Sequence, residues 1–143
     1  MSESLNIEIR TPSYLKNNKE EYEYLKELNA DIAIVVAYGQ IIPKEILTLT
    51  KKGFINIHAS LLPKWRGAAP IQRSIMNLDK QTGISIMKID ERLDTGPICN
   101  SYPLNILEND DFIQNIFGAT CQICLNPDFK ALAPLKIALK LFF

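Results

Sequence analysis

The sequence predicts an α/β fold built on a mostly parallel sheet, and three observations carry that prediction. Residues 32–37 form a continuous apolar run, the pattern of a strand covered on both faces. Extended and helical patterns alternate along the chain. Short Gly-, Pro- and Asn-rich breaks separate them, as in parallel sheets with right-handed crossovers.

In order, residues 5–9 alternate apolar and polar positions and read as a short strand, closed by Thr11-Pro12. Ser13 or Asn18 is placed to cap a helix in which Tyr22, Leu25 and Leu28 recur at helical spacing. Asn29-Ala30-Asp31 ends it, and the apolar strand 32–37 follows. Tyr38-Gly39-Gln40 turns the chain, and Pro43 opens a helix expected to run to about Lys52, with Gly53 as its stop. Residues 54–58 form the next strand, and a loop over 61–69 leads to a helix opened by Pro70 and ending near Asn77. Residues 82–89 alternate, with Ile84 and Ile86 on one side and Ser85 and Met87 on the other. A polar loop over 90–96 leads to an extended piece over 97–106. A helix is expected from Asp111 to Leu125, and residues 126–143, broken by Pro127 and Pro134, are expected to be irregular.

With 143 residues, the chain is one domain or part of one, and 47% apolar residues suffice for a packed core. Sixteen basic residues balance sixteen acidic ones, so no global field draws the chain to nucleic acid or anionic membrane. RNA stays open as a substrate, since a further segment could supply a basic surface. The longest apolar run is far short of the roughly 20 residues of a membrane helix. Met-Ser-Glu-Ser is unlike a secretory signal, and three cysteines give no disulfide framework. The expected location is cytoplasmic.

The chemistry-bearing residues gather around the sole histidine. Asn56 and His58, two apart at a strand end, share one face, where α/β sheets open into a ligand crevice. An amide beside an imidazole suits a carbonyl oxygen that gains negative charge during attack. Asp94, in the loop 90–96, is either a solvated turn residue or a carboxylate returned over the sheet edge to His58. Such a pair could move a proton through one water. Ser60, Leu61, Leu62 and Pro63, then Trp65-Arg66-Gly67, form a loop whose apolar residues could wall an aromatic ligand. Tyr38-Gly39-Gln40 lies at the same sheet edge and is equally well an ordinary turn; no dinucleotide or phosphate-binding fingerprint occurs. Cys121-Gln-Ile-Cys124 lacks two further zinc ligands, so its thiols read as structural and no metal is expected.

From about Asn29 to Ile98 the chain resembles the folate-dependent formyltransferase family. The similarity rests on residues 30–47, on Ile55-Asn-Ile-His-Ala-Ser-Leu-Leu-Pro-Lys-Trp-Arg-Gly-Ala-Ala-Pro70 through Ile75, on residues 82–87 and on Leu93-Asp-Thr-Gly96. Arg66-Gly-Ala-Ala-Pro-Ile-Gln-Arg73 resembles the branch that formylates methionyl-tRNA. The resemblance implies a Rossmann-like, mostly parallel sheet of the formyltransferase fold, incomplete at the N-terminus. It also implies formyl transfer from 10-formyltetrahydrofolate to the amino group of methionyl initiator tRNA, in translation initiation. Asn56, His58 and Asp94 match the family's catalytic trio, and Ser60, Leu61, Leu62 and Pro63 its folate-contacting segment. The implied partner is initiator methionyl-tRNA, without a membrane, and the implied state is a monomer.

Departures from the family pattern shape further expectations. Residues 1–125 are expected to be part of the catalytic domain, lacking its opening strands and helices, and 126–143 a tail. The C-terminal tRNA-binding barrel domain is expected to be absent. A sheet without those strands should leave apolar edges open, and the isolated chain is expected neither to fold stably nor to formylate tRNA. The alternatives are a folate-binding remnant without catalysis and a formyltransferase acting on a small amine. Arg66 to Arg73 argues against the latter.

Overall fold

A computed structural model describes residues 10–106 and, for the backbone, 137–141. The strand expected over 5–9, the helix over 111–125 with Cys121 and Cys124, and residues 126–136 and 142–143 lie outside the described residues. The elements are α1 (Lys19–Glu27), β1 (Ile32–Val36), α2 (Lys44–Leu47), β2 (Phe54–His58), α3 (Pro70–Met76), β3 (Gln81–Lys88), β4 (Ile98–Asn105) and β5 (Ile137–Leu141). They form one five-stranded sheet in the order β4-β3-β2-β1-β5.

The α/β class is as expected. Parallel pairing joins β5, β1 and β2, with Val36 opposite both Ile57 and Leu141. The β2–β3 and β3–β4 ladders are antiparallel and extend the same sheet. Residues 89–97 are too few for a crossover, so β4 can only return beside β3 in the opposite direction. Two expectations are corrected at the other edge. Residues 137–141, expected to be irregular, form β5, and β1, expected to have an open edge, is paired with it.

Alternation along β1 sends Ile32 and Ile34 to one face and Ala33 and Val35 to the other. The first pair packs with Ile57, Ile84 and Ile86. The second packs with Phe54, Leu15, Ile42 and Ile46, beneath Tyr22 and Leu25 of α1. Each buried Ile or Phe is worth about 1.5–3 kcal/mol relative to exposure. Asn18 caps α1, its side-chain oxygen accepting the Glu21 N–H at 3.1 Å.

α2 is shorter than expected. After Leu47 the chain leaves the helix because Asp31 draws it toward the sheet. The Asp31 carbonyl accepts the Lys52 N–H at 2.8 Å, and the Asp31 carboxylate pairs with Lys51 at 2.8 Å. β3 is buried from Thr82 to Met87 on both faces, although its sequence alternates. A loop over the face bearing Ser85 explains the difference.

Candidate active site

His58 ends β2 with its side chain 7% exposed. By strand alternation Asn56 and His58 share the face of Phe54, with Met87 and Ser85 opposite them on β3. Two loops close over this face: residues 59–69, from beyond the His58 end of β2, and residues 89–97, which start beside Phe54 at its other end, where the Ile89 N–H bonds the Phe54 carbonyl.

The first loop sets the histidine's proton. His58 Nε2 lies 2.9 Å from the Trp65 carbonyl oxygen. A carbonyl only accepts, so Nε2 carries the proton and Nδ1 is the nitrogen left for chemistry. Trp65 itself adopts φ 59°, the left-handed region that bulky residues rarely occupy.

The second loop brings the carboxylate. Asp94 Oδ2 lies 3.7 Å from His58 Nδ1, beyond a direct hydrogen bond and within strong electrostatic reach. The same oxygen accepts the Gly67 N–H at 2.7 Å, which ties the two loops together. Asp90 shapes the turn by accepting the Arg92 N–H and the Thr95 hydroxyl, each at 2.9 Å. Gly96 passes so close to β3 that a Cβ there would overlap the Lys88 carbonyl.

The structure therefore brings Asp94 to His58, as the family resemblance implies, with Asn56 on the same face. Asn56 is half-buried, and its carboxamide has no hydrogen-bond partner among the described residues. The segment Ser60, Leu61, Leu62 and Pro63 divides in two. Ser60 is fully buried and donates its hydroxyl to the Lys64 carbonyl at 2.6 Å. Leu61 packs where Gly83 leaves room, since a Cβ on Gly83 would come within 2.6 Å of Leu61 Cδ2. Leu62 is half-buried and Pro63 exposed, so these two offer apolar surface outward. Tyr38-Gly39-Gln40 is a turn tied to the segment before α1, with Gln40 donating to the Ser13 carbonyl at 2.8 Å.

Sequence reasoning missed two supports. Ser85 Oγ, fully buried, donates to the Ser60 carbonyl at 2.7 Å and accepts the Leu62 N–H at 3.0 Å. A serine inside an apolar strand was the available signal, because a buried hydroxyl needs partners. Asp79, in the turn after α3, accepts from Lys64 Nζ, the Trp65 indole N–H and Asn77 Nδ2, each at 2.7 Å. Its neighbourhood in sequence reads as an ordinary polar turn.

Those bonds, Lys64's first, hold the Asp79 carboxyl at about 2 against 3.8 for a free group. A carboxyl held down in the folded state adds stability at pH above its unfolded value. That stability is lost as the pH falls from 3.8 to about 2. Thermal midpoints measured across this acid window should therefore fall less steeply in Asp79→Asn than in the parent chain. Equal slopes would show that the three bonds add nothing to folding.

Among the described residues, no group of three or more His, Cys, Asp or Glu side chains could hold a metal ion. No helix among them is long and apolar enough to cross a membrane.

Residues 5–116 match the model of a family described as formyl transferase. A methionyl-tRNA formyltransferase of Pelagibacter ubique is 72% identical over 111 residues, which is 78% of this chain and 36% of the relative. That of Caldicellulosiruptor saccharolyticus is 54% identical over 108 residues, 76% of this chain and 35% of the relative. The chain thus spans about a third of the length of these curated relatives. Among solved structures, a phosphoribosylglycinamide formyltransferase from Bacillus halodurans matches with a TM-score of 0.70 at 26% identity. That match covers 83% of this chain and 64% of the other. Its counterpart from Anaplasma phagocytophilum gives 0.77 at 22% identity, over 93% and 67% of the two chains, a likeness of fold alone.

Proposed function

The chain belongs to the formyl transferase family, and from that premise we propose that its site moves a formyl group from 10-formyltetrahydrofolate to the amino group of methionyl initiator tRNA. The observation that carries the chemistry is the meeting of Asp94 with His58 Nδ1 at 3.7 Å, on the face that holds the unpartnered Asn56 carboxamide. The choice of acceptor rests on the 72% identical relative that bears the methionyl-tRNA formyltransferase name.

The folate supplies the formyl carbon. Leu62 and Pro63 offer the apolar surface for its ring system, on a loop whose shape Ser60, Leu61 and Ser85 hold. Asn56 Nδ2 and, when the ring carries a second proton, His58 Nδ1 are the donors for the formyl oxygen, which gains negative charge as the amine adds to the carbon. Asp94 stabilises the positive charge on the imidazole ring. Through a water it also takes the proton that the attacking amine must shed and returns it to the departing nitrogen. The amide and ring donors make a metal unnecessary for this step. The reading places residues 1–125 within the catalytic domain and the protein in the cytoplasm, acting as a monomer.

The test is formyl transfer by the chain from isotopically labelled donor to methionyl initiator tRNA, run beside glycinamide ribonucleotide and an amino sugar. Label on the tRNA is the expected result, because the expectation of an unstable and inactive chain rests on an open apolar edge, and β1 is paired with β5. Label on a small amine alone overturns the acceptor, and donor binding without transfer to any of the three leaves a folate-binding remnant.

A further inference from the structure

We propose that Asp79 is a positioning residue for His58, acting through the Trp65 backbone. The proposal rests on the reading of His58 as a proton-bearing donor and adds a residue to which that reading gives no role. Asp79 sits between α3 and β3, away from the reacting atoms. Its side chain is only 7% exposed, yet it collects three donors, two of them from the loop that follows β2. Its own N–H is anchored to the Ser74 carbonyl at 3.0 Å. The carboxylate is thus fixed to the scaffold at one end and to the loop at the other.

What it fixes is a strained residue. Trp65 occupies the left-handed region at φ 59°, a strained conformation that a bulky side chain keeps only where its surroundings impose it. The indole N–H donates to Asp79 Oδ2 at 2.7 Å, which fixes the ring to the turn after α3. With the ring held there, the twisted backbone turns the Trp65 carbonyl onto His58 Nε2 at 2.9 Å. That contact keeps the proton on Nε2 and leaves Nδ1 facing Asp94. Lys64 contributes charge to Asp79 and also sets its Nζ 5.3 Å from the centroid of the Trp65 ring, so it supports the same indole more weakly.

The experiment reads the His58 ring N–H directly, by 1H–15N spectroscopy of the full chain, as its rate of exchange with solvent. In Asp79→Ala and in Trp65→Phe that rate should rise by about tenfold or more, as expected when a local opening replaces a held hydrogen bond. The Ile57 amide within β2 should keep its rate in both. Lys64→Ala, which leaves the indole bond to Asp79 in place, should raise the rate by less than Trp65→Phe does, and Asp79→Asn, which keeps an acceptor for the indole, should restore most of the protection. Because Asp79→Ala leaves three donors unpaired and can unfold the chain, Trp65→Phe is the deciding variant. An unchanged ring proton in folded Trp65→Phe overturns the proposal. Equal acceleration at Ile57 also overturns it, since that reports general loosening. The signal needs no turnover, so it persists if the formyl-transfer reading fails and is lost only if the positioning does.

Discussion

Formyl transfer falls by about 10²–10³ when Asn56 is replaced by alanine, the loss expected for one donor to a developing oxyanion. His58→Ala should fall further, because it removes a second donor and the ring through which Asp94 acts. The geometry makes the interplay of the two changes informative. Asp94 lies 3.7 Å from Nδ1, and Nε2 is occupied by the Trp65 carbonyl, so part of the carboxylate's effect passes through the ring at Nδ1 and part through the water that carries the amine proton. The double variant His58→Ala/Asp94→Ala should then lose less than the two single losses multiplied together, as for groups that act in part as a unit. Asn56→Ala should come nearer to multiplying with Asp94→Ala than with His58→Ala, since its carboxamide and the ring donate to the same oxygen. Single-turnover rates on saturating donor, with thermal midpoints taken on the same samples, separate these cases. Turnover retained in both His58→Ala and Asp94→Ala would remove the mechanism. Full additivity between them would show that Asp94 works independently of the ring.

The legible parts of the fold were those where local pattern and burial agree. The run Ile32 to Val35 is buried throughout, as a continuous apolar stretch predicts. Asn18 before Lys19 and Pro70 at the start of α3 were readable as helix starts because capping chemistry is local. The parts that were missed depend on partners remote in sequence. α2 stops short because Asp31 captures Lys51 and Lys52, an attraction that no helical periodicity encodes. β5 owes its state to the free edge of β1, with which it pairs across about a hundred residues of chain. β3 looks half-exposed in sequence and is buried because Ser60 and Leu62 bond to Ser85 across its second face. The site divides the same way. Asn56 and His58 were legible from strand alternation. Asp94 needed the family resemblance, because nothing in its loop states where that loop returns. Asp79 was invisible, since its partners Lys64 and Trp65 belong to a loop whose path the sequence does not reveal.

That path makes Gly96 the position where a single methyl group should do most harm. A Cβ at Gly96 would overlap the carbonyl of Lys88, a backbone atom that no rotamer change can move aside. The strands are locked at that point, with the Lys88 N–H bonded to the Pro97 carbonyl at 3.0 Å and a register shift between Ile86 and Met87 opposite Ile98. Gly96→Ala must therefore push the 89–97 loop outward, and Asp94 lies two residues away. The stability loss should be about 1–3 kcal/mol, the range for overpacking at a site that cannot relax. Activity should fall by more than that loss explains, because moving Asp94 lengthens its distance to His58 and breaks its bond to Gly67. Gly39→Ala is the matched control, since a Cβ there meets nothing within 4 Å. Denaturant midpoints and single-turnover rates for the two alanine variants give the comparison. If Gly96→Ala matched Gly39→Ala in both, the close passage of the loop over β3 would not be what holds the carboxylate beside the imidazole.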